Sequence, residues 1–89
     1  MGTHFIAVIK GLQPSDYDKI DGLTGVDNIS RVGPLVCITH SDTCEASGRS
    51  SIIICAEDLA SVAPEADLRL TIVCDEAETI IIPVYPRCQ

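Results

Sequence analysis

From Phe5 to Ile9 the chain is apolar at every position, so a strand through Thr3–Lys10 has no polar face to offer to water. Side chains alternate along a strand, which sends Phe5, Ala7 and Ile9 to one side and Ile6 and Val8 to the other. Such a strand belongs in the middle of a sheet. A chain of 89 residues has room for one such sheet around one core, and residues 1–89 read as a single compact domain. Phe5, Tyr17 and Tyr85 are the only aromatic residues, so that core is aliphatic.

The rest of the chain supplies partners for this strand. After Gly11, Pro14-Ser15 opens a short helix, with Ser15 as its cap, Tyr17 and Ile20 as its apolar side and Gly22 as its stop. Thr24 to Gly33 shows no clean period and reads as a loop or a poorly formed strand at Asn28–Val32. Pro34 to His40 is again apolar on both sides, and the small polar run Ser41–Gly48 reads as an exposed loop. Ser50–Cys55, with Ile52-Ile53-Ile54, predicts a further strand, and Ala56–Ala63 a second short helix stopped by Pro64. Leu68, Leu70, Ile72 and Cys74 alternate with Arg69 and Thr71 in a clear strand. Asp75–Glu78 is a hairpin-length turn, and Thr79–Tyr85 returns as an edge strand because Pro83 lacks a donor.

These elements predict an α+β domain: a small antiparallel or mixed sheet of about five strands with one or two short helices. The order resembles a ferredoxin-like sandwich, with a partly rolled sheet as the rival. Two short helices cannot cover both faces of five strands. The sheet therefore curls on itself or a second copy covers it, and self-association as a dimer is the expectation.

Charge narrows the function. Six basic residues stand against thirteen acidic ones, a formal −7, and the cations are scattered singly. This field repels a phosphate backbone, so no direct nucleic-acid binding is expected. The apolar runs are strand-sized, so no membrane partner is expected, and without a targeting segment the cytoplasm is the expected compartment.

Chemistry-bearing residues are few. Cys37, Cys44, Cys55, Cys74 and Cys88 make an odd count, which argues against a disulfide framework. His40 and Cys44 are the nearest pair for a metal, and Cys37, Cys55 and Cys74 lie on neighbouring segments that would have to converge. No close C-x-x-C or C-x-x-H pair exists, so no cofactor is expected. Cys44 is the best-placed nucleophile, but Asp42 and Glu45 oppose the thiolate it would need. The acids around Asp16–Gly22 lack calcium-loop spacing and suit a helix start better.

One acidic set stands out: Glu57, Asp58, Glu65, Asp67, Asp75, Glu76 and Glu78, with Arg69 alone opposing it. The expectation is a small non-enzymatic interaction protein of inhibitor or adaptor type, docking a larger protein with a basic surface through these residues. The alternative is a small oligomeric ligand- or metal-binding domain that uses its Cys and His side chains.

Overall fold

The alternation of β1 (Thr3–Lys10) sorts as its pattern demands: Phe5, Ala7 and Ile9 are buried, while Ile6 stands about half exposed. The computed structural model describes residues 2–25, 28–74 and 79–86. β1 lies at the centre of a five-stranded antiparallel sheet, between β3 (Leu35–Asp42) and β4 (Arg69–Cys74). β2 (Ile29–Val32) flanks β3 and β5 (Ile80–Pro83) flanks β4, giving the order β2-β3-β1-β4-β5. The sheet is open, with β2 and β5 as its edges. Pro83 sits on the edge strand, where a missing donor costs least.

A short 3-10 turn at Pro14–Asp16 leads into α1 (Tyr17–Asp21). The Ser15 cap is not formed: the turn has no side-chain cap bond, and Pro14 starts it after extended Gln13. Ile20 is buried, and Tyr17 packs against the core with Arg31 of β2 lying over its ring at 4.3 Å. The same guanidinium forks onto the Asp21 carboxylate, with Nη2 3.0 Å from Oδ2, and ties α1 to β2. Of Asn28–Val32, left open between loop and strand by its pattern, Ile29–Val32 pairs with β3 as β2.

The main departure from expectation is α2 (Glu45–Val62), an 18-residue helix. It absorbs the strand expected at Ser50–Cys55, the short helix expected at Ala56–Ala63 up to Val62, and the second half of the loop expected at Ser41–Gly48; β3 itself runs on to Asp42. The reason is a buried stripe of Gly48, Ile52, Ala56, Leu59 and Ala60, which share one helical side at spacings of four, four, three and one. Its small members let the helix lie close to the sheet. A Cβ on Gly48 would stand 2.2 Å from the Phe5 ring. Pro64 follows directly after Ala63 at the C-cap, where the helix stops.

The core lies between the helices and one sheet face. Phe5, Ile9, Ile20, Val36, Ile38, Ile52, Leu68, Leu70 and Ile72 are its largest sealed side chains. Each buried Leu, Ile or Phe is worth about 1.5–3 kcal/mol in removal from water. Gly11 joins β1 to this layer with φ +110°, and a Cβ there would fall 2.1 Å from the Asp67 carbonyl oxygen.

Candidate functional site

Register places the opposite side chains together on the uncovered face. β1 presents His4, Ile6, Val8 and Lys10; β3 presents Leu35, Cys37, Thr39 and Ser41; β4 presents Arg69, Thr71 and Val73. Val32 extends the face on one flank and Ile81 on the other. Ile6 is 52% exposed, Val73 45%, Ile81 69% and Val32 75%, values that single out this face against a helix-side core at or near zero. No described element lies over it. His4 Nδ1 meets Ser41 Oγ at 2.8 Å at one end of the face, and Lys10 pairs with Arg69 in register at the other.

The described part of the acidic set lies elsewhere, on the helix layer. Glu57 and Asp58 are near the C-terminal end of α2, and Glu65 and Asp67 are exposed on its connection to β4. The last turn of α2 carries no basic residue, so the negative end of its dipole adds to these carboxylates. Arg69 Nη2 lies 3.6 Å from Asp67 Oδ1. Asp75, Glu76 and Glu78 lie outside the described residues.

The Cys and His side chains scatter. Cys37 is on the open face, Cys74 is buried on the helix side opposite Phe5, Cys55 is on α2 and Cys44 is exposed ahead of it, so the convergence that a metal site would have required does not occur among them. Cys88 lies outside the described residues. Asp42 links His40 and Cys44: its Oδ2 is 3.3 Å from His40 Nε2, and its Oδ1 accepts the Cys44 backbone N–H at 3.4 Å. The Cys44 amide, followed by the His40 ring, holds the Asp42 carboxyl below its ordinary value of 3.8. The link to Cys44 runs through its backbone rather than its thiol. Among the described residues no three His, Cys, Asp or Glu side chains gather as a metal site.

One pairing escaped the sequence. Asn28, His40, Ser51 and Cys55 line a cleft of about 270 Å³ whose floor is Ile38 and Ile52. It opens where β2 stops pairing at Ile38 and β3 runs on, with the Thr39 N–H reaching back to the Asn28 carbonyl at 3.2 Å. Ser51 and Cys55, four apart, share a side of α2, so a helical reading of Gly48–Ala60 would have found them.

No helix among the described residues is long and apolar enough to cross a membrane. No family model, curated protein or solved structure matches this chain.

Proposed function

We propose that this chain is a small non-enzymatic interaction protein, an inhibitor or adaptor that docks a larger protein with a basic surface. The observation that carries this reading is a local excess of negative charge: Glu57 and Asp58 sit near the C-terminal end of α2, and Glu65 and Asp67 on the connection that follows it. Long-range attraction from that end speeds encounter with a cationic patch and weakens as salt screens it. Cys37, Cys44, Cys55 and Cys74 form no disulfide with one another, which suits a reducing compartment such as the cytoplasm.

The test is positional. A fluorescent Lys/Arg-rich peptide serves as the basic probe, and its anisotropy reports binding. Glu57→Lys and Glu65→Lys are expected to weaken it several-fold more than Asp18→Lys, which changes net charge equally from α1. Equal losses from all three would leave only the overall charge and remove the proposed surface.

A second reading has its own observation, the cleft that His40 and Cys55 both line. With two such donors it suits a small organic ligand better than a metal, which wants about four. A fragment screen by NMR that moves the His40 ring signals and leaves His4 in place would favour it.

A further inference from the structure

We infer that the open sheet face is the contact surface for a second copy of this chain, packed face to face as a two-fold dimer. This surface is separate from the acidic end of α2 and does not rest on its role.

The composition of the face is the first argument. The chain holds thirteen Asp and Glu residues, yet none of the strand positions on this face is acidic. Ile6, Val8, Cys37, Thr71 and Val73 form its centre, with Val32 and Ile81 on the flanks. The His4–Ser41 pair closes one end and Lys10 with Arg69 the other. Polar side chains thus close the two strand ends, while the centre and flanks between them are largely apolar, a composition that suits a protein interface. A basic-surfaced partner would find no carboxylate on the described strand positions, whereas a second apolar face is self-complementary.

Area is the second argument. Strands of eight, four, eight, six and four residues, at about 3.3 Å per residue and about 4.8 Å between strands, make a face on the order of 500 Å². Two copies would bury on the order of 1,000 Å², which reaches the lower bound of specific interfaces. Such a dimer dissociates on dilution.

Charge then selects the symmetry axis. A two-fold axis along the strands would stack Lys10 and Arg69 on the same residues of the other copy. An in-plane axis across the strands sets them over the His4–Ser41 end instead, and keeps Lys10 and Arg69 off their own copies. Two sheets packed this way lie about 10 Å apart.

Sedimentation equilibrium of the full reduced chain, from about 5 μM to about 500 μM, covers the micromolar range of a weak, transient interface. The native chain is expected to pass from a one-chain to a two-chain mass. Val73→Lys and Ile6→Lys should each weaken association tenfold or more. Ile54→Lys, on a residue of similar exposure on α2, should not. Circular dichroism at the lowest concentration checks folding, and Ile81→Lys on the edge strand replaces any variant that fails to fold. A one-chain mass at the highest concentration would overturn the inference, as would a dimer indifferent to Val73→Lys and Ile81→Lys. Glu57→Lys should leave the dimer intact, so the failure of acidic docking and the failure of this dimer read differently.

Discussion

On β1, Ile9 is sealed on the helix side while Ile6, three residues earlier, stands half in water; on β4 the same contrast separates Leu70 from Val73. The residue types are alike, and so is the backbone. What differs is the layer above them. α2 and α1 cover one face of five strands, and nothing among the described residues covers the other. Apolar patterning of a strand therefore states what a face can bury, while the number of available layers states what it does bury.

Several experiments break or sharpen this contrast, the strongest acting on the buried side. Leu70→Ala empties a sealed position and is expected to cost about 3 kcal/mol, whereas Val73→Ala should cost less than about 1 kcal/mol in the monomer. Urea unfolding at low concentration compares the two, and equal losses would mean that the open face is already covered. Next come the close approaches. Gly11→Ala meets both a left-handed backbone and the Asp67 carbonyl, and Gly48→Ala meets the Phe5 ring. Each is expected to cost about 2 kcal/mol or more, read as a lower thermal midpoint. An unchanged midpoint for Gly48→Ala would show that the helix layer is not tightly seated.

Acid should loosen the helix layer alone. The Arg31 hydrogen bond holds Asp21 below its ordinary 3.8, and the Cys44 amide with the His40 ring does the same for Asp42. Because the folded values are the lower ones, this stabilisation is present above that ordinary value and is lost as pH falls through the folded values. Asp21→Asn and Asp42→Asn should therefore flatten the acid limb of a stability–pH curve. The open face has no carboxylate on its strands to add to it. An unchanged slope in both variants would detach these contacts from acid stability.

The mildest probe is thiol labelling mapped by mass. Cys44 should react first and Cys37 more slowly, with protection growing as concentration rises. Buried Cys74 should react only through opening of the fold. Early labelling of Cys74 would contradict its place in the core.

Legibility followed the same division. β1 and β4 were readable because a period of two leaves one assignment for each side chain, and Pro83 marked the edge. The acids at Glu57, Asp58, Glu65 and Asp67 could be picked out as a set, but their joint position at the end of α2 required the helix. The five-strand count held although one member changed: Ser50–Cys55 went into α2, and the weakly patterned Ile29–Val32 took the place beside β3. Three consecutive isoleucines satisfy a buried strand and a helix equally well, so local pattern does not separate them. The cleft at His40 and Cys55 was hidden for the same reason, since it exists only once Cys55 is on a helix.

The amino-acid order by itself determined an aliphatic single-sheet domain with a central first strand, a proline-marked edge and a strongly negative charge, because these follow from side-chain alternation, from a missing donor and from counting charges. The tertiary structure alone decided that Ile52–Ile54 join a helix, that Glu57 and Asp58 ride on that helix ahead of Glu65 and Asp67, and that one apolar face is left uncovered among the described residues. Those outcomes depend on which segment can fill the groove above Phe5 and Ile38, and that competition is settled by packing between residues far apart in the chain.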